Sequence, residues 1–216
     1  MKLLGVDVGT GGSRALVIDQ VGRVIASATV EHTPFASPQT GWAEQDPRDW
    51  WRATTEAVRA VLLNREVRAD EIGCVGLTGQ MHGAVLLDER DAPLRPAIIW
   101  CDLRTEAQCR MITKQVGAEQ LIQLVMNPAL EGFTLPKLLW VRETEPELWS
   151  RVRTVLLPKD YVRLRLTGDH ATDVADASGT LLFDVRQRKW SREMLDHANL
   201  DGSLMAQVFE STEITG

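Results

Sequence analysis

Residues 6–19, VDVGTGGSRALVID, constrain the fold more than any other stretch of this chain. An apolar run ends on Asp7. Gly9, Thr10, Gly11, Gly12 and Ser13 form a small-residue turn, and a second apolar run starts after Arg14. Glycine-rich turns let bare backbone N–H groups approach a phosphate closely, so a phosphate loop is one reading. Its two commonest forms are excluded. A P-loop needs Gly-Lys followed by Ser or Thr, and there is none. The dinucleotide fingerprint needs a glycine at the sixth position counted from Gly9, which is Arg14. Both forms also lead into a helix, whereas RALVID is apolar and rich in strand formers. The chain therefore opens on a β-hairpin with a small-residue tip and a carboxylate at its base.

The neighbouring patterns extend this start. Residues 2–8, 14–19 and 23–31 read as three strands of an antiparallel meander, with Gln20–Gly22 as a tight turn. HTPFASPQTGWAEQDP is a loop. Asp46 then serves as N-cap and Pro47 as first residue of a helix reaching about Asn64. IGCVGLTG, residues 72–79, is a near-continuous apolar run of the kind found in buried parallel strands. Further strands are expected at 84–88 and 97–100, and a helix capped by Asp102 through about Gln115. Beyond Gly117 helices dominate. Thr134 caps one, and another starts at Pro158 and closes on Gly168. Residues 170–185 read as a loop and a strand pair. Strands, helix, then more strands with helices define an α/β class.

A chain of 216 residues accommodates one large domain or two small ones. Its net charge of −6 argues against a general nucleic-acid partner, and no apolar run is long enough for a membrane span. The three cysteines lack metal-type spacing and read as buried thiols in a cytoplasmic protein. The seven tryptophans are expected mostly in packing, although indoles also stack on sugar rings.

Three stretches could carry chemistry. Asp7, beside the glycine turn, is placed to hold a hydrated Mg²⁺, which binds through one or two carboxylates plus phosphate oxygens. It equally fits a turn aspartate capping its own loop. Thr10, Ser13 and the loop amides would then meet phosphate oxygens, with Arg14 adding charge or standing as a solvated strand residue. The second stretch is GLTGQMHGAV, a glycine-flanked tip whose His82 can bond a hydroxyl, or be only a polar surface residue. Met81 reads as packing. The third is IIWCDLR, where Trp100 and Asp102 combine an apolar face with a hydroxyl acceptor. Asp102 as a helix cap fits as well. All three lie at ends of neighbouring strands, where open α/β sheets bind ligands.

In order, DVGTGGSRALVID, WAEQDPRDWW, GQMHG, RPAIIWCDLR, GFTLPKLLWV and LLPKDYVRLRLTG resemble segments of the FGGY family of carbohydrate kinases, from Met1 to Gly216. GQMHG is similar to the sugar-contacting tip of the members that phosphorylate xylulose. The resemblance implies an actin-like ATPase, ribonuclease-H-like fold. It also implies transfer of the ATP γ-phosphate to a hydroxyl of a ketose, D-xylulose, with Mg²⁺ as the metal. It assigns Asp7 to metal and phosphate, Gly9 to Arg14 to the phosphate side, and Met81, His82, Trp100 and Asp102 to the sugar. Ribulose, fuculose or gluconate kinases of the same family, and a non-enzymatic actin-like sugar or nucleotide sensor, are the alternatives. A homodimer is a further expectation. The family places its catalytic aspartate in a glycine-rich motif of a second domain. The only Gly-Asp pair here is Gly168-Asp169, at an expected helix end. The chain is therefore expected to be the first domain alone, inactive without the second.

Overall fold

The computed structural model describes residues 1–216. β1 (Lys2–Val8), β2 (Gly12–Ile18) and β3 (Val24–Glu31) form the meander, and the hairpin tip follows the glycine turn as expected. β4 (Glu44–Gln45) precedes α1 (Pro47–Leu62), whose N-cap Asp46 accepts from the Arg48 amide at 2.9 Å. β5 (Ile72–Gly79) lies parallel to β1, pairing Asp7 with Thr78 and Val8 with Gly79, so the sheet order is β3-β2-β1-β5.

The rest of the chain builds a second layer of short elements. β6 (Val85–Leu87), β7 (Ala97–Ile98), α2 (Glu106–Val116), α3 (Ala118–Val125), α4 (Thr134–Thr144), α5 (Pro146–Trp149) and β8 (Thr154–Leu156) lead to α6 (Pro158–Thr167). Then come β9 (Ala171–Asp173), α7 (Val174–Ala177), β10 (Phe183–Asp184), β11 (Lys189–Trp190), α8 (Arg192–Ala198) and β12 (Gln207–Phe209). α6 starts on Pro158 and ends on Gly168 at φ +83°, a left-handed turn that glycine adopts without a Cβ clash.

Alternation decides what each strand buries. Leu4, Val6 and Val8 of β1 and Ser13, Ala15 and Val17 of β2 point to one side, where α1 lies on the meander and α6 on β1 and β5. Trp50 of α1 is fully buried there; burying such a side chain stabilises by roughly 1.5–3 kcal/mol. A second core gathers α2, α3, α4, β6, β8 and α8.

Several expectations need correction. β5 has the expected span, yet Cys74, Val75, Gly76 and Thr78 are exposed, because β5 is the edge strand of its sheet. An apolar run reports composition, not what packs against it. For the same reason only Cys109 of the three thiols is buried. Asp102 does not cap α2, which starts after Thr105. Thr134 is the first residue of α4 rather than its cap. Residues 170–185 include α7, because the Asp173 carboxylate accepts from the amides of Ala175 and Asp176 and starts a turn of helix. No helix is long and apolar enough to cross a membrane.

Candidate functional site

Two loops spring side by side from the carboxyl ends of β1 and β5. The Gln80 amide donates to the Val8 carbonyl at 2.8 Å, so the second tip starts against the first. A Cβ at Gly79 would stand 2.9 Å from the Val8 oxygen, which explains a glycine where the strands part.

In the first loop the Gly9 amide closes the turn on the Gly12 carbonyl at 3.0 Å. The Thr10 and Gly11 amides make no hydrogen bond within the chain, and a Cβ at Gly11 would meet open space. These two N–H groups are what the loop offers an anion. Gly12 is required for another reason. It lies within β2, and a Cβ there would be 2.7 Å from the Val30 oxygen. Asp7 is exposed at the loop base, directly opposite Arg14 in the ladder, and Arg14 is exposed with its Nε on the Ser27 hydroxyl at 3.1 Å.

Ser13 corrects the expectation of a phosphate contact. Its hydroxyl is fully buried, 2.9 Å from His32 Nε2, and accepts from Thr54 Oγ1 at 3.1 Å. Strand parity turns it to the core: it alternates with Arg14 and shares its side with Ala15 and Val17.

Asp102 is corrected likewise. It is fully buried beneath Arg104, whose guanidinium lies 2.7 Å from it and 3.7 Å from the Trp42 ring centroid, with Trp140 on another side at 4.8 Å. Its Oδ2 also accepts from the Ala43 amide at 2.6 Å. With both oxygens engaged and closed to solvent, this carboxylate holds the loop before β4 rather than offering itself to a sugar.

Trp100 does join the site. Half exposed, it donates from its indole nitrogen to Thr10 Oγ1 at 2.9 Å. Two glutamines that composition had not singled out complete the junction. Gln45 Nε2 donates to the Thr10 carbonyl at 2.7 Å, and Gln80 Nε2 donates to Gln45 Oε1 at 2.8 Å. Trp50 Nε1 holds the same Gln45 oxygen at 3.1 Å. Both glutamines are buried. Their signal was present, since each lies inside a quoted motif, WAEQDP or GQMHG.

At the second tip Met81 is half exposed. His82 sits at φ +64°, a left-handed backbone that a non-glycine residue keeps only where its surroundings enforce it. Its carbonyl accepts from Thr134 Oγ1 at 3.1 Å and its ring meets Phe133 edge-on at 4.7 Å. Nδ1 lies 2.8 Å from the Gly179 carbonyl. A carbonyl only accepts, so Nδ1 carries the proton and Nε2 of the neutral ring is left as an acceptor. Burial, chiefly, holds the imidazole below its ordinary pKa and favours that neutral form.

Comparison with known proteins fits this geometry. The profile of the FGGY family of carbohydrate kinases, N-terminal domain, matches residues 2–216. The chain belongs to the FGGY family. Among FGGY relatives, the xylulose kinase of Lactococcus lactis is 40% identical over 214 residues, 99% of this chain but 42% of the relative. That of Escherichia coli is 42% identical over 213 residues, 43% of its length. A xyloylose kinase structure from Brucella ovis superposes with a TM-score of 0.93 at 39% identity, covering all of this chain and 45% of that one. The chain thus spans under half the length of the FGGY kinases it matches, and its fold is their actin-like, ribonuclease-H-like one.

The residues also fit the expected metal in one specific way. No three side chains are arranged to hold a metal ion by themselves. A lone exposed carboxylate beside free amides suits Mg²⁺, which keeps several waters and takes phosphate oxygens as ligands, and not a closed protein cage.

Proposed function

We infer that this chain is the sugar- and phosphate-binding half of an ATP-dependent kinase that phosphorylates D-xylulose. One observation carries the reading. The loop with free amides and the Met81–His82 tip leave adjacent parallel strands and are tied together through Thr10, Trp100, Gln80 and Gln45. A transferring phosphoryl group and a sugar hydroxyl need just such neighbouring sites, because phosphoryl transfer depends mainly on positioning and charge neutralisation.

In this reading the Thr10 and Gly11 amides receive phosphate oxygens, and Asp7 orients a hydrated Mg²⁺ that neutralises their charge. His82 Nε2 accepts from a sugar hydroxyl, while Met81 and the Trp100 face pack against the carbon skeleton. Arg14 adds positive potential beside Asp7. The base that deprotonates the attacking hydroxyl is assigned to chain beyond residue 216, in keeping with the share of each relative that this chain spans.

The test is a coupled assay of the full-length protein with Mg²⁺, ATP and a panel of D-xylulose, ribulose, fuculose and gluconate, run beside residues 1–216 alone. Turnover with D-xylulose by the long form only is expected. Preference for another acceptor would overturn the substrate, and sugar-dependent turnover by residues 1–216 would overturn the placement of the base.

A further inference from the structure

We propose that Lys159 is a positioning residue for His82: its ammonium braces the turn on which the ring rests, while the base of its side chain packs behind the tip that carries the imidazole. The proposal deepens the sugar-site reading above and rests on it for its consequence in catalysis.

Lys159 is the second residue of α6, and its side chain is only 12% exposed. Nζ lies 2.6 Å from Asp160, 2.9 Å from Asp173 and 3.0 Å from Asp176. Asp173 and Asp176 belong to the first turn of α7, with Asp173 as its N-cap. Three residues after Asp176 comes Gly179, whose carbonyl receives His82 Nδ1 at 2.8 Å. The seat is tight. A Cβ at Gly179 would fall 2.4 Å from His82 Cε1.

The same helix start presses on the tip from behind. A Cβ at Gly79 would be 3.2 Å from Lys159 Cβ, and one at Gly83 would be 2.7 Å from Pro158 Cγ. The residues flanking Met81 and His82 therefore lie flush against Pro158 and Lys159, while Lys159 also holds the start of α7. Tip and seat share one anchor.

The charges make that anchor hard to replace. Three carboxylates surround one ammonium. Burial raises the pKa of Asp160 to about 6 and that of Asp176 above its ordinary value, and the carboxylates in turn keep Lys159 protonated. Removing the ammonium leaves like charges buried together, which loosens the α7 turn first, because the turn is short and its two acids are the ones released.

The experiment uses the full-length protein with wild-type, Lys159→Met, Lys159→Met/Asp176→Asn, Gly179→Ala and His82→Ala forms. Steady-state constants for D-xylulose and ATP are read together with ¹⁵N shifts of selectively labelled histidine. Wild type should show a neutral Nδ1-protonated His82. In Lys159→Met and Gly179→Ala that tautomer should be lost, and sugar kcat/KM should fall about tenfold with ATP KM within about twofold. The charge-balanced double variant keeps the test open should Lys159→Met fail to fold. A folded Lys159 variant that loses melting temperature alone, with wild-type tautomer and sugar constants, would overturn the proposal. Unchanged sugar constants in His82→Ala would instead refute His82 as a sugar contact, and the tautomer would still decide whether Lys159 positions the ring.

Discussion

The Trp100 indole donates to the Thr10 hydroxyl at 2.9 Å, across ninety positions of sequence, and so joins the aromatic face of the site to its glycine loop. Trp100→Phe keeps the face and removes the donor. One lost hydrogen bond costs about 0.5–1.5 kcal/mol, so kcat of the full-length protein should fall roughly threefold to tenfold. The sugar KM should stay within about twofold, because the ring remains. A raised sugar KM with unchanged kcat would show that the indole acts on the sugar and not on the loop.

Asp7 is exposed at the loop base and has no structural partner beyond its ladder. Asp7→Ala should therefore melt near the wild-type temperature. Its kcat should drop about a hundredfold or more, since the carboxylate acts where charge develops. Near-normal kcat at saturating Mg²⁺ and ATP would reduce Asp7 to a turn residue.

Ser13 should behave in the opposite manner. Ser13→Ala leaves His32 Nε2 and Thr54 Oγ1 without their buried partner. Urea unfolding should show a loss of about 1–3 kcal/mol, while the ATP KM is unchanged. A large rise in ATP KM without loss of stability would return Ser13 to the phosphate site.

Lys137 lies fully buried among the carbonyls of His82, Glu131, Gly132 and Phe133, and burial pushes its pKa down to about 7. The folded state thus favours the neutral amine more than the unfolded chain does. The penalty for the buried ammonium is complete below about pH 7 and disappears as pH rises towards about 10, the unfolded value. Wild-type stability measured relative to Lys137→Met should therefore increase across that window. A flat difference would mean that the ammonium is retained through its carbonyl bonds.

Local rules made much of the architecture legible. Strand-forming runs bounded by turns marked the meander, Asp46-Pro47 opened α1, Gly168 closed α6, and IGCVGLTG spanned β5, because each signal acts within one turn or one strand. The inward turn of Ser13 was also readable, from its parity with Ala15 and Val17, had parity been weighed above the loop. What could not be read were the relationships. Asp102 is consumed by Arg104 between Trp42 and Trp140, Gln45 meets Gln80 beneath Thr10, and Lys159 gathers acids from α6 and α7 beside His82. Each depends on where sheet pairing and helix packing bring distant segments. A side chain's composition states which bonds it is able to make, whereas its burial and neighbours select the one it makes. Hence the glycine turn, the tip and the hairpin were set by residue order. Tertiary packing alone turned one hydroxyl into the core, closed one carboxylate off from solvent and left His82 with a free acceptor nitrogen.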